Sequence, residues 1–175
     1  MALDITGGCT VWITGLPSAG KTTLARALAT RLREAGHDTE VLDGDVIRTR
    51  LSRDLGFSKE DRDENVRRVG FVASLLANHG VVVLVAMVSP YRHARDEVRA
   101  LHGGRFLEVY LSTPLEVCAA RDVKGLYARQ RSGEVTGLTG VDDPYEPPLA
   151  PEAVVPTHTQ TVDESVDTVW RALLG

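Results

Sequence analysis

The chain is short of cysteine, of long apolar runs and of excess positive charge, and each shortage excludes something. Cys9 and Cys118 lie far apart with no Cys-x-x-Cys partner, which points to two reduced thiols in a reducing compartment rather than to a disulfide framework. No apolar run approaches the roughly 20 residues that cross a bilayer. Met1 to Thr10 lacks the charged start and apolar core of a signal peptide. A soluble, cytoplasmic protein is expected, with no membrane partner. The 20 basic and 24 acidic residues give a formal charge of -4, which argues against a general nucleic-acid or membrane-surface role. There is neither an internal repeat nor a low-complexity segment. With 43% apolar residues in 175, residues 1–175 read as a single domain with enough interior to fold without metals or disulfides.

What is present is an alternation of strand and helix. Val11 to Thr14 reads as a strand, Lys21 to Glu34 as a helix stopped by Ala35-Gly36, and Thr39 to Leu42 as a strand entering Asp43-Gly44-Asp45. Ser58-Lys59-Glu60-Asp61 has the look of a capping box. It opens a long helix to Asn78 with Val66, Val69, Ala73 and Leu76 on one face. The unbroken run Val81 to Ala86 predicts a strand buried on both faces, and the central one of a parallel sheet. Ser89-Pro90 is expected to open a helix to about Leu101, Phe106 to Leu111 to form a strand, and Thr113-Pro114-Leu115-Glu116 to start a helix reaching about Arg121. Between Asp122 and Pro151 periodicity fails, which inside a compact domain indicates a functional lid over about residues 122–151. Thr159 to Val162 is expected to be a short last strand, and Asp163 to Leu174 a closing helix with Val166, Val169, Trp170 and Leu173 inward. The pattern predicts an α/β fold, a parallel sheet with helices on both faces.

Between the first strand and first helix lies Gly15-Leu16-Pro17-Ser18-Ala19-Gly20-Lys21-Thr22, a G-x-x-x-x-G-K-[ST] string in the strand, loop, helix context of a phosphate cradle. Gly15 and Gly20 let backbone N–H groups wrap an anion, and the helix adds its positive end. Lys21 can reach the β and γ phosphates, and the Thr22 hydroxyl can meet Mg²⁺. Ligands of such P-loop folds bind beyond the carboxyl ends of the strands. The strand at Val81 to Ala86 ends without a carboxylate, so Asp43 and Asp45 are the candidates for the metal acid, and by position Asp45 for the general base. The plainer use of Asp45 is to cap the following helix. Ser89, before Pro90, fits a helix cap or a site residue.

Across nearly the whole chain, LDGDVIRTRLSRDLGFSKEDRDENVRRVG, VSPYRHARDEVR and FLEVYLSTPLEVCAARDVKGLYARQRSGEVTGLTGVDDPYEPP, with the phosphate loop, closely resemble adenylylsulfate kinases. The resemblance implies an ATP-dependent kinase that moves the γ-phosphate to the ribose 3′-hydroxyl of adenosine 5′-phosphosulfate (APS), giving PAPS in sulfate activation. It implies ATP contacts along Gly15 to Thr23, the catalytic residues Lys21, Asp45 and Ser89, and Mg²⁺ at Thr22 and Asp45. APS contacts fall on Asp43, Arg48, Phe57, Arg62, Asn65, Ser89, Lys124 and Leu138. Guanidinium groups suit phosphate and sulfate oxygens through paired hydrogen bonds. Phe57 matches one of two rings that sandwich the APS adenine. Leu138 stands where the family usually has the other, which removes stacking worth about 1 kcal/mol.

Ser89 matches the family's phosphoserine intermediate, although in-line transfer needs only positioning and charge neutralisation. Lys124 to Tyr127 match the start of a mobile lid, from which Lys124 and Arg129 or Arg131 could approach the nucleotides. A homodimer and an ATP sulfurylase partner are further implications. Two other readings stand beside this one: a P-loop kinase for another small alcohol, and a catalytically silent APS- or PAPS-binding module. Arg48, Phe57, Arg62 and Asn65 speak against the first, and the retained Lys21, Thr22 and Asp45 against the second.

Overall fold

The computed structural model describes residues 5–175; residues 1–4, part of the stretch read above for a leader, lie outside them. After a 3-10 turn at Ile5–Gly7, five strands follow: β1 (Cys9–Gly15), β2 (Thr39–Asp43), β3 (Val82–Ala86), β4 (Phe106–Leu111) and β5 (Ala153–Val155). Their order is β2-β3-β1-β4-β5, every neighbouring pair parallel. The helices are α1 (Lys21–Glu34), α2 (Gly44–Arg50), α3 (Lys59–Ala77), α4 (Arg92–Leu101), α5 (Leu115–Arg121), α6 (Leu126–Arg131) and α7 (Val162–Leu174).

Strand alternation sorts the interior into two layers. Val11 and Ile13 of β1, with Val82, Leu84 and Ala86 of β3, pack against α1 and α7. Trp12, with Val83 and Val85, points the other way, toward Val66, Val69 and Ala73 of α3 and Ala94 and Val98 of α4. Every residue of β1 and β3 is buried. The continuous apolar run correctly signalled a strand covered on both faces, but the central position belongs to β1, between β3 and β4. A run of apolar residues reports coverage, and β1 achieves the same coverage with Thr10, Trp12 and Thr14 in its register.

Four local expectations are corrected. Thr159 to Val162 is not a strand: Thr161 caps α7 in a reciprocal capping box with Glu164, and the last strand is Ala153–Val155. Ser89-Pro90 does not open a helix. Helix α4 starts at Arg92, whose N–H is capped from far along the chain by the Glu146 carboxylate at 2.8 Å. Asp45 caps nothing, because Asp43 is the N-cap of α2 and accepts from the Asp45 N–H at 3.0 Å. The segment read as an aperiodic lid contains the short helix α6. Ser58 does cap α3, accepting from the Asp61 N–H at 3.1 Å. Only half of the box forms, since the Asp61 carboxylate turns to the Gly56 N–H at 2.9 Å.

The helices α3 and α4 meet closely at Gly70. A Cβ there would lie 2.4 Å from Val98 Cγ2 and 2.7 Å from Val98 Cγ1. Gly70→Ala gains helix propensity, but forced overlap in a packed layer outweighs it. A urea melt of Gly70→Ala is expected to show a loss of about 1–2 kcal/mol.

Candidate active site

At the carboxyl end of β1 the loop Gly15–Gly20 delivers the chain to α1. Gly20, left-handed at φ 102°, occupies the N-cap, and no side chain caps the helix. An α-helix leaves its first N–H groups without intrahelical partners, so the start of α1 is an open cluster of donors with a positive dipole end. These donors face a cavity of about 840 Å³ that Pro17, Ser18, Gly20, Lys21, Thr22 and Thr23 line. Gly15, Leu16 and Ala19 do not line it; Ala19 is buried in the core and Leu16 packs against that core. Lys21 Nζ donates to Gly15 O at 3.0 Å and Leu16 O at 2.7 Å. Burial, with Lys124 nearby, lowers its pKa to about 8.

Strand β2 ends beside β3 and carries the two carboxylates to this cavity. Asp43 is the one that meets the loop: Thr22 Oγ1 donates to its Oδ2 at 2.7 Å. Burial works against its charge, but bonds from Thr22 and the N–H groups of Asp45 and Val46 prevail, and its pKa falls below the usual carboxylate range. Asp45 is the more exposed of the pair and takes Lys124 Nζ as an ion-pair partner.

A second wall of the cavity is built by α2, α3 and the segment between them. Arg48 Nη1 donates to Gly56 O at 2.6 Å and Leu55 O at 3.3 Å, and its guanidinium lies 4.4 Å over the Phe57 ring. The Arg62 guanidinium approaches the same ring at 6.0 Å. Phe57 itself is 69% exposed. Asn65 is 4% exposed, and its Oδ1 has no hydrogen-bond partner among the described residues. Arg48, Phe57, Arg62, Asn65, Lys124 and Leu138 all line the cavity with Asp43 and Asp45. Every residue expected at the site, apart from Gly15, Leu16 and Ala19, is therefore brought to one place. Of the two lid arginines, Arg129 lines the cavity and Arg131 does not.

Ser89 also lines the cavity and does not cap α4. It is a left-handed residue at φ 42°, a strained backbone of the kind found at functional turns. Trp12 Nε1 donates to its hydroxyl at 3.0 Å, and Arg95 Nη1 to its carbonyl at 2.6 Å. No carboxylate or imidazole bonds the Ser89 hydroxyl among the described residues. It lacks the adjacent base that activates a serine nucleophile.

A profile of adenylylsulphate kinases matches residues 7–156. The chain belongs to the adenylylsulphate kinase family. It is similar to the adenylyl-sulfate kinase of Rippkaea orientalis (strain PCC 8801 / RF-1), 58% identical over 166 residues, which are 95% of this chain and 91% of that protein. Among solved structures it resembles the Mycobacterium tuberculosis APS kinase CysC in complex with AMPPNP and APS, with a TM-score of 0.91 and 45% identity over 95% of this chain and 97% of that one. It also resembles the hexameric APS kinase from Thiobacillus denitrificans, with a TM-score of 0.70 and 38% identity over 94% of this chain and 28% of that one. Among the described residues no helix is long and apolar enough to cross a membrane.

Sequence reading missed one group in this kinase site. Arg121, at the end of α5, donates to Thr157 Oγ1 and Thr157 O, both at 2.9 Å, and Thr157 Oγ1 donates to Ala19 O at 2.7 Å. Both residues line the cavity. Thr157 carries no local signal; only the return of the chain after β5 brings it under the phosphate loop. Tyr127 adds a second clasp, its hydroxyl donating to Pro17 O at 2.9 Å from a buried ring. In Tyr127→Phe that bond, worth about 1 kcal/mol, is lost. Amide hydrogen exchange of residues 122–131 should quicken about fivefold, as that energy implies, while exchange in β1 stays unchanged.

Proposed function

We propose that the protein phosphorylates APS: it transfers the ATP γ-phosphate to the ribose 3′-hydroxyl and releases PAPS and ADP. What carries the reading is one shared cavity with two cationic grips. One consists of main-chain donors and Lys21, the other of Arg48 and Arg62. An uncharged alcohol would leave the Arg48 guanidinium, which among the described residues is hydrogen-bonded only to the carbonyls of Leu55 and Gly56, without a partner anion in the cavity.

In this reading the open start of α1 holds the ATP phosphates, and Lys21 leaves the loop carbonyls to follow the charge from β to γ phosphate. Arg48, Arg62 and Asn65 hold the phosphosulfate and ribose side of APS, with the adenine between Phe57 and Leu138. Asp43 is committed to Thr22 and to the cap of α2. Asp45 keeps its second oxygen available, which suits it to accept the 3′-hydroxyl proton as that oxygen attacks phosphorus. Ser89 orients its turn through Trp12 and Arg95, and the transfer passes directly between the nucleotides.

Mg²⁺ fits the residues present. It favours hard oxygen donors and binds through one or two carboxylates together with substrate phosphates. Thr22 and Asp43 offer a hydroxyl and a carboxylate in mutual contact, with Asp45 two residues on. Thr22, with these carboxylates, would hold the ion, which neutralises phosphate charge when bound. Residues 122–151 serve as the lid, and its closure would keep water from the γ-phosphate. A homodimer and a docking ATP sulfurylase belong to the same reading. Light scattering of the purified protein, alone and mixed with a sulfurylase, checks both.

Coupled ADP release with APS, set against a panel of other alcohols, tests the reading. Lys21→Ala should lower kcat about 10²–10³-fold, the usual cost of losing one donor to transition-state charge. Turnover of APS no faster than that of the other alcohols, or an unchanged rate in Lys21→Ala, refutes it. Chelation with EDTA should abolish turnover, and Mg²⁺ should restore it.

A further inference from the structure

Arg62 is more committed to the protein than an anion-binding guanidinium needs to be. Its Nε donates to Phe57 O at 2.8 Å, its Nη2 to the Gly137 carbonyl and its Nη1 to the Thr139 hydroxyl. The same Nη1 lies 3.3 Å from Asp143 Oδ2. A guanidinium carries five N–H donors in a rigid plane. Three are bonded to the protein and the Asp143 carboxylate lies beside Nη1, so Arg62 offers a ligand its charge and its remaining Nη donors rather than the free fork that residue type alone suggests.

The groups that hold Arg62 are themselves fixed. Tyr91 OH donates to Asp143 Oδ2 at 3.0 Å. The Asp143 N–H donates to Leu138 O at 3.2 Å, and the Asp143 carbonyl accepts from the Gly140 N–H at 2.7 Å. Next to it, the Asp142 carboxylate accepts from the N–H groups of Gly137 at 2.8 Å and Leu138 at 2.6 Å. Residues 137–143 thus form a loop closed on itself, with buried Leu138 on the cavity wall and Asp143 at its base.

Electrostatics explains why such a brace is needed. Arg48 and Arg62 share the Phe57 ring. Burial and then the charge of Arg62 lower the Arg48 pKa. Two like charges in a partly desolvated site separate or swing to solvent unless a counter-charge holds one of them. The Asp143 carboxylate is that counter-charge, supplied from the lid segment.

We propose that Asp143 is a positioning residue for the reaction: its carboxylate, steadied by Tyr91, holds the Arg62 guanidinium in place and aimed so that its remaining donors meet the anion of the acceptor nucleotide. This rests on the function proposed above. Neither carboxylate oxygen touches a nucleotide in this account; Asp143 acts through Arg62 alone.

Steady-state kinetics on the full chain test it, with ATP and APS varied in turn for the unmodified protein, Asp143→Asn, Asp143→Glu and Tyr91→Phe. Turnover of APS by the unmodified protein tests the function, and the differences among variants test Asp143, so the two failures are distinguishable. Asp143→Asn is expected to raise the KM for APS about tenfold, the scale of one partly buried ion-pair contact. The KM for ATP should stay within about twofold and kcat within about threefold on the same ground. Asp143→Glu should recover part of the loss, and Tyr91→Phe should raise the KM for APS about threefold. An unchanged KM for APS in Asp143→Asn, an equal rise for both nucleotides, or no recovery in Asp143→Glu overturns the proposal. Should Asp143→Asn melt below the assay temperature, Tyr91→Phe decides, and an unchanged KM for APS there overturns it.

Discussion

Holding a helix N-terminus open inside a folded protein sets the terms for the rest of this molecule. Helix α1 starts at a left-handed Gly20 with no side chain to cap it, and its donors stay directed at the cavity only if the loop before them cannot collapse onto them. The carbonyls of that loop are therefore occupied from below and from the side. Lys21 holds those of Gly15 and Leu16, Tyr127 holds Pro17, and Thr157 holds Ala19. Each of these bonds removes an acceptor that could otherwise compete for the first-turn N–H groups. An anion finds donors already oriented, so little reorganisation is needed on binding.

The same economy of polar groups runs through the opposite wall and into the interior. Arg95 is 2% exposed and would be a liability there on its own. It pairs with Glu108 at 2.7 Å and donates to the carbonyls of Ser89 and Glu146. One buried guanidinium thus ties α4 to β4, to the turn after β3 and to the far end of the segment 122–151. Glu146 returns the connection by capping α4. Arg62 does the equivalent further back in the same segment, through Gly137, Thr139 and Asp143. The segment from 122 to 151 lacks periodicity because its backbone is fixed by such long-range polar bonds rather than by a repeating apolar face.

Much of the fold could be read from local patterns. Helix α1 falls on Lys21–Glu34 as expected, β4 on Phe106–Leu111, and the cap of α3 on Ser58. In each case the signal and the structure lie within a few residues of one another. The errors arose where the deciding partner is distant. Ser89-Pro90 looks like a helix start, yet Glu146 supplies the cap two residues further on. Thr159 to Val162 looks like a strand, yet its backbone turns to make the Thr161 cap. The β3 run looks central, but strand order depends on which crossovers cover which edge.

At the site, the sequence by itself determined the chemistry: a glycine loop followed by Lys21 and Thr22, two carboxylates at the end of a strand, and Arg62 with Asn65 spaced for one helix face. Those groups are fixed by residue type and short spacing, which a linear chain displays openly. Only the tertiary structure decided which group holds which. It set Thr22 on Asp43 and Lys124 on Asp45, bound the Ser89 hydroxyl to Trp12, brought Thr157 beneath the loop, and gave three of the Arg62 donors to the protein. Hydrogen bonds between residues 21 to 138 positions apart are made by the crossovers of the sheet, and no local pattern encodes them.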